Sequence, residues 1–258
     1  MLILATFSVL VLSFIFSMLG LGGALLYIPI FYWLGYDFKT VAIPTGLLLN
    51  GITALSAAIY YLKAKMVDIK GALPLLISSS LSAPIGAYLT EFIPVKLLML
   101  FFIIAIWFAG LKMLFSSSKE QKKFYSYKLK LILMIIGGAF IGLIAGMLGI
   151  GGGFLFVPLM IVIGYETKIA AATNSFIVIF SSFSGFLGHI TTGHFNVPLM
   201  IFTTIAVIIG SQIGARVMKE KMKSQWIKQM FGIILIGVGI KLLWKNLPYY
   251  LIIIKNLF

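Results

Sequence analysis

Two short glycine clusters are the residues whose type and spacing best suit the binding of a small ligand. The sequence Gly20-Leu-Gly-Gly-Ala opens the apolar segment 20–35, and Gly149-Ile-Gly-Gly-Gly opens the apolar segment 150–164. As helices of about 15 residues these segments would span roughly 22 Å, less than the roughly 30 Å hydrocarbon core of a bilayer. The pattern therefore predicts two short helices, each broken at its start.

Clustered glycines leave helical dihedral angles at little cost, which frees backbone N–H groups at the start of the following helix. These N–H groups and the helix dipole together favour a bound anion. Close helix packing is the alternative role of glycines in membranes, and it is favoured for Gly138, Gly142 and Gly146, which are spaced by four. The candidate anion-binding glycines are Gly20, Gly22, Gly23, Gly149, Gly151, Gly152 and Gly153.

A few polar side chains inside apolar segments are further candidates for substrate binding. Thr45 and Asn50 lie in one segment, and Asn174 and Ser175 lie at the corresponding place in the second half of the chain. Their hydroxyl and amide groups are suited to hydrogen bonds with the oxygen atoms of an anion. Hydrogen bonding between neighbouring helices is the alternative interpretation.

Three other polar residues suggest accessory roles. His189 is interpreted as the one titratable group at depth in the membrane, either neutral and hydrogen-bonded or coupled to proton movement. Gln212 and Arg216 are four residues apart near the predicted inner end of a helix, where they could draw anions toward the site. Extension of the Arg216 side chain to the membrane surface is the alternative.

Carboxylates are absent from the predicted membrane interior. Cation transporters and many proton-driven pumps place Asp or Glu there, so their absence favours an anion as the substrate. With no cysteine and two histidines, the sequence predicts no metal site, no cofactor and no enzyme active site. The acidic residues all fall at predicted segment ends or in loops, at Asp37, Asp68, Glu91, Glu120, Glu166 and Glu220.

The composition requires a membrane protein. Of the 258 residues 61% are hydrophobic and 10% are charged, whereas soluble domains are about half apolar and a quarter charged. The chain carries 20 Lys and Arg against 6 Asp and Glu, and these basic residues lie between apolar runs. That placement indicates membrane orientation and leaves no surface for nucleic-acid binding.

The elements that position the candidate residues form an internal repeat. The motif that begins at Met18 recurs at Met147, an offset of 129 residues (147 minus 18). This repeat predicts a first membrane unit at 1–115, a cytoplasmic linker at 116–130 and a second membrane unit at 131–258. The apolar segments are 2–19, 20–35, 41–62, 71–90 and 95–115, then 131–149, 150–164, 169–192, 198–215 and 226–244, with a weaker tail at 247–258.

The distribution of basic residues decides the predicted topology. Five crossings in each half, with the linker inside, place most Lys and Arg residues on the inner side of the membrane. An odd number of crossings makes the two halves inverted repeats, as in many secondary transporters, and places both termini outside. The predicted fold is an all-α, polytopic membrane protein with two inverted-topology repeats of about five segments each. Whether 247–258 spans the membrane or lies at its interface is left open.

The paired motifs resemble the TauE/SafE family of membrane proteins, also called sulfite exporters. The resemblance is carried by the two glycine clusters with Pro29 and Pro158, by Gly86-Ala87 and Gly214-Ala215, and by Val67-Asp68 and Phe195-Asn196, over roughly residues 8–244. It implies a transporter of sulfite or small organosulfonates in the cytoplasmic (inner) membrane. Ala24 stands where the second copy has Gly153, and this departure weakens exact symmetry between the two half-sites.

The functional hypothesis from the sequence is a secondary transporter that exports a small sulfur oxyanion by alternating access. The alternatives are an importer, a carrier of another small anion or of a neutral metabolite, and a membrane assembly protein that transports nothing. The expected partners are a small anionic substrate and the lipid bilayer, without nucleic acid. The sequence leaves open whether the chain is a monomer or a homodimer.

Overall fold

A computed structural model of the chain describes residues 1–89, 100, 103–104, 107–108, 110–111, 113–115, 126–148, 151–190 and 193–255. These residues form helices and loops and contain no strand, which confirms the all-α prediction. A π-helical turn, Phe38–Ala42, precedes the third helix. Numbered in chain order, the helices are α1 (Leu2–Leu19), α2 (Ala24–Trp33), α3 (Ile43–Lys63), α4 (Ile69–Leu89), α5 (Tyr127–Leu148), α6 (Gly153–Val162), α7 (Thr167–Gly188), α8 (Val197–Glu220) and α9 (Ser224–Lys255).

Length and hydropathy together identify the candidate membrane-crossing helices. Five described segments are long and apolar enough to cross a membrane: Leu2–Leu19, Thr40–Lys63, Tyr127–Met147, Thr167–Gly188 and Val197–Glu220. By contrast, α2 and α6 have 10 residues each. A helix of that length covers about 15 Å, roughly half of the hydrocarbon core. The two short helices predicted after the glycine clusters are therefore present.

The structure tests the predicted C-terminal tail, but it describes only part of the linker and of the segment before it. The predicted boundary before the tail 247–258 is wrong, because α9 runs without interruption over 32 residues from Ser224 to Lys255. Polar residues near 245 lower the hydropathy there, but they leave the helical backbone intact. Most of segment 95–115 and of linker 116–130 lies outside the described residues, and the residues described between 100 and 114 are helical.

Helices from the two halves pack against each other. The most extensive contacts join α1 with α8, α4 with α5, and α3 with α7. The sequence repeat pairs α1 with α5 and α4 with α8. Exchanging the two halves therefore turns the contact of α1 with α8 into the contact of α5 with α4. A two-fold relation between the halves has this consequence, whereas the inverted orientation of the halves stays a prediction.

Small residues allow the close approach of these helix pairs. A Cβ atom on Gly146 of α5 would clash with the carbonyl oxygen of Ala83 in α4, and one on Gly142 would lie 2.5 Å from the carbonyl oxygen of Ser79. In the other half, a Cβ atom on Gly214 of α8 would clash with the backbone of Phe14 in α1. The packing role predicted for the glycines spaced by four is confirmed.

This packing predicts opposite effects of one substitution at two helical glycines. Gly146→Ala places a methyl group against the α4 backbone and should destabilise the protein by about 1–3 kcal/mol, as overpacking does. Gly237→Ala in α9 is the matched control, because no atom lies within 4 Å of its Cβ position. It should be neutral or stabilising, since alanine favours helix. Thermal unfolding in detergent measures both, and equal midpoints would contradict the packing described.

Candidate functional site

The first break lies between α1 and α2. Gly20 ends α1 in the left-handed conformation, with φ of 69°, and its N–H donates to the carbonyl oxygen of Ser17 at 3.1 Å. Gly22 and Gly23 follow with φ of 83° and 154°, and α2 begins at Ala24. Residues with a side chain rarely adopt these angles. The predicted break is real, but Gly20 contributes its carbonyl group, because its N–H is used to cap α1.

The second break lies before α6. Gly151 and Gly152 have φ of 74° and 70°, and they lead into the first helical residue, Gly153. Gly149 lies outside the described residues. The prediction for Gly153 is wrong in one respect, because this glycine is helical and does not form part of the break. It is instead a close contact, since a Cβ atom there would lie 2.7 Å from the carbonyl oxygen of Leu21. The start of α6 therefore touches the first break.

Asn50 of α3 bridges the two breaks. Its Oδ1 accepts the N–H of Ala24 at 2.8 Å, which caps α2, and its Nδ2 donates to Oγ of Ser182 in α7 at 2.6 Å. A Cβ atom on Gly151 would lie 2.5 Å from the same Nδ2. A Cβ atom on Gly22 would clash with Oδ1. The fully buried Asn50 amide thus fills the space between the starts of α2 and α6.

Asn174 of α7 forms the second bridge. Its Nδ2 donates to the carbonyl oxygen of Gly20 in the first break and to that of Gly153 at 2.8 Å. Ser181, two turns further along α7, donates to the carbonyl oxygen of Gly151 at 2.9 Å. Carbonyl groups that the breaks release from helical bonding are satisfied by these side chains, as the interior of a membrane requires.

The electrostatic environment at the breaks favours negative charge. The N-termini of α2 and α6 each carry the equivalent of roughly half a positive charge, and both lie next to Asn50. Within the described residues, the N–H groups of Gly22, Gly23, Gly151 and Gly152 have no hydrogen-bond acceptor. The described chain contains no group of three or more His, Cys, Asp or Glu residues that could hold a metal ion. The arrangement is suited to an anion.

The other polar candidates divide into two groups. Thr45 Oγ1 and Asn174 Oδ1 are buried and have no hydrogen-bond partner in the described part of the chain. Ser175, by contrast, donates to the carbonyl oxygen of Ala171 in its own helix at 3.3 Å. Thr45 and Asn174 therefore keep unused hydrogen-bonding capacity, whereas the Ser175 hydroxyl proton is committed to α7.

The accessory residues lie elsewhere. The prediction that His189 lies at depth is wrong, because it is the half-buried C-cap of α7, where burial lowers the pKa of its imidazole. Gln212 donates to the carbonyl oxygen of Ser56 at 2.6 Å, which joins α8 to α3. Arg216 is exposed and pairs with Glu220 at 3.0 Å. The structure does not bring these three residues to the breaks.

Sequence reasoning missed two serines of the site. Ser181 and Ser182 contact Gly151 and Asn50, and both are buried. They follow Asn174 by seven and eight residues, which is two helical turns along the same face. A search along that face of α7 would have found them.

Hydrogen bonds among Tyr165, Asp68 and Thr173, here called the latch, join two parts of the chain at one end of the molecule. The hydroxyl of Tyr165, in the loop between α6 and α7, donates to Oδ2 of Asp68 at 2.9 Å, and the Asp68 N–H donates to Oγ1 of Thr173 at 3.0 Å. Burial, and then the hydrogen bond with Asp68, raise the pKa of the Tyr165 hydroxyl well above its usual range. The phenol therefore keeps its proton and stays a donor. The latch joins the loop after α3 to α7 beside Asn174.

The described glycines of both breaks are buried in this conformation. A small cavity with room for about one water molecule lies beside Gly151, between α3, α4, α5 and α7, and Leu47, Ala83, Ala145, Ser181 and Gly185 also line it. At the end opposite to the latch, the His194 N–H donates to the carbonyl oxygen of Thr40 at 2.7 Å.

Long apolar helices together with two facing, glycine-broken short helices define the class of multi-pass membrane transporters. The family model described as "Sulfite exporter TauE/SafE" matches residues 5–242. The chain therefore belongs to the TauE/SafE family, and it is a membrane transporter rather than an enzyme.

Curated relatives agree with this assignment. "Probable membrane transporter protein YunE" of Bacillus subtilis is 28% identical over 90% of this chain and 93% of the relative. A probable membrane transporter protein of Methanocaldococcus jannaschii is 24% identical over 88% of this chain and 90% of the relative. "Sulfite exporter TauE/SafE family protein 3" of Arabidopsis thaliana is 28% identical over 35% of this chain and 19% of its own length. No solved structure matches the chain.

Two glycines with similar φ angles separate backbone strain from the contact with Asn50. Gly35→Ala, at φ of 85° and with no atom within 4 Å of its Cβ position, should cost only the strain of a left-handed residue, about 1–2 kcal/mol. Gly22→Ala adds a clash with Asn50 Oδ1 and should cost at least about 3 kcal/mol. Thermal unfolding in detergent compares them. Equal destabilisation would contradict the position of Asn50 between the breaks.

Proposed function

We propose that the chain exports a small sulfur oxyanion, sulfite or an organosulfonate, which binds between the two glycine breaks. The observation that carries this proposal is the meeting of two helix N-termini whose break glycines have N–H groups without an acceptor among the described residues. Helix N-termini bind oxyanions through such N–H groups. The acidic residues that the structure describes, Asp37, Asp68, Glu166 and Glu220, lie in loops or at the ends of helices, so none of them opposes the charge of the ligand from a helix interior.

The names of the relatives support the choice of sulfur oxyanions. Plant relatives carry the name sulfite exporter, and the family model carries the same description. Export agrees with the physical driving force in a cell that is negative inside. The membrane potential contributes about 2.3 kcal/mol per charge per 100 mV to the exit of an anion. A uniporter therefore needs no coupling ion, and the location proposed is the cytoplasmic membrane.

Alternating access accounts for the closed conformation. The latch of Tyr165, Asp68 and Thr173 lies at the end that the charge distribution assigns to the cytoplasm, where Lys63, Lys70 and Lys168 are found. Opening of this latch exposes the breaks to the cytoplasm. Movement of His194, which precedes α8, away from Thr40 exposes the breaks to the outside. Movement of one half against the other opens each end in turn.

Purified protein in liposomes tests the proposed substrate. Uptake of sulfite should exceed uptake of urea, a neutral control, and an imposed potential of 100 mV should change the equilibrium ratio of a singly charged anion roughly 50-fold. Thr45→Val, which removes a buried hydroxyl that has no partner among the described residues, should lower sulfite flux with little change in thermal stability. Gly237→Ala serves as the control with normal flux. Movement of urea alone, or of no anion, would reject the proposal.

The absence of cysteine makes the latch directly testable. Ser181→Cys introduces a single thiol beside Gly151, and its rate of reaction with a membrane-impermeant thiol reagent reports access from each side. Tyr165→Phe removes a hydrogen bond to a carboxylate and should raise the rate from the cytoplasmic side by about tenfold or more. Tyr36→Phe, at the corresponding position of the first half, is the control that should leave this rate unchanged. Equal rates in both variants would exclude a gate at Tyr165.

A further inference from the structure

The orientation of the Asn174 amide is determined by its surroundings. The side chain is fully buried, and Nδ2 donates both of its hydrogens, one to the carbonyl oxygen of Gly20 and one to that of Gly153. A flipped amide would place Oδ1 against two carbonyl oxygens and lose both hydrogen bonds. The nitrogen must therefore face Gly20 and Gly153, and the oxygen must face away from them.

This orientation leaves an unsatisfied acceptor in the site. Asn174 Oδ1 has no donor among the described residues. Buried acceptors without a donor are rare in native proteins, because the group has lost its water and gained nothing in exchange. The Thr45 hydroxyl, 129 residues earlier at the corresponding position of the first half (174 minus 45), also lacks a partner, but a hydroxyl can donate as well as accept. Of these two groups, only Asn174 Oδ1 can do nothing but accept, and no donor for it lies among the described residues.

This requirement restricts the chemistry of the substrate. The breaks favour negative charge, whereas Asn174 Oδ1 favours an O–H or N–H group. A fully deprotonated oxyanion offers only acceptor oxygens, so its approach would set one oxygen against another. A singly charged anion with one protonated oxygen or nitrogen satisfies both demands.

We propose that Asn174 Oδ1 selects sulfur oxyanions that carry a hydrogen-bond donor, such as hydrogen sulfite, sulfamate or a hydroxyl-bearing sulfonate, over anions that carry none. This inference rests on the proposed function and identifies the protonation state and the substituent that the site accepts. Thr45 contributes binding without this selectivity, because its hydroxyl adapts to either kind of ligand.

Sulfamate and methanesulfonate form a matched pair for the test. Both are singly charged, and they have the same shape apart from the replacement of an NH₂ group by a CH₃ group. Sulfite flux into liposomes is measured with the wild-type protein, and each compound is titrated as a competitor. Sulfamate should compete at least about tenfold more strongly, which corresponds to about 1.4 kcal/mol. Sites that hydrogen-bond one ligand reject an analogue lacking the group by such factors or more.

Variants assign the selectivity to Asn174. Asn174→Thr replaces the acceptor by a hydroxyl that also donates, and the preference for sulfamate should fall below about threefold. Thr45→Val should weaken both competitors alike and keep the preference. A wild-type preference that Asn174→Thr leaves intact would overturn the assignment to Asn174.

The wild-type measurement alone decides the selectivity, so it does not depend on whether the variants fold. Equal competition, stronger competition by methanesulfonate, or no competition by either compound while sulfite moves would overturn this inference and leave the proposed function standing. Absence of any sulfite flux would reject the proposed function itself, and the inference with it.

Discussion

Backbone groups released from a helix inside a membrane must find partners within the protein, and the structure depends on this constraint. The two glycine breaks release carbonyl and N–H groups at a depth where water is scarce. Carbonyl groups of Gly20, Gly151 and Gly153 are bonded by side chains from α7, and the N–H at the start of α2 is bonded by Asn50 from α3. The helices α3 and α7 therefore supply the partners that the breaks need.

Under the proposed function, the same constraint lets structure and transport share residues. Interhelical hydrogen bonding and substrate binding were the alternatives for the polar residues of α3 and α7. Under the proposed function both roles coexist in the Asn174 amide, since its nitrogen joins the breaks while its oxygen is left without a donor in the described chain. A site of this kind is rigid where it holds the backbone. The hydrogen-bonding groups that it leaves unused are few and specific, which suits a small ion.

Some features of the molecule were readable from local sequence because their physical cause is local. Clustered glycines weaken a helix wherever they stand, so Gly22 and Gly151 indicated the breaks without knowledge of the fold. Spacing by four placed Gly142 and Gly146 on one packing face. By contrast, depth in the membrane depends on where a helix ends. His189 follows an apolar run in the sequence, yet it caps α7.

The sequence by itself determined that this chain is an all-helical membrane protein with two glycine-broken short helices, because composition and glycine clustering act over a few turns of chain, and its paired motifs resemble the TauE/SafE family. Only the tertiary structure decided that the breaks meet. It brought Asn50 to Ser182 across 132 residues of sequence and Asn174 to Gly20 across 154. Contacts of such separation depend on how all the helices pack together, and no local pattern encodes them. The unsatisfied oxygen of Asn174 is likewise a property of the assembled site.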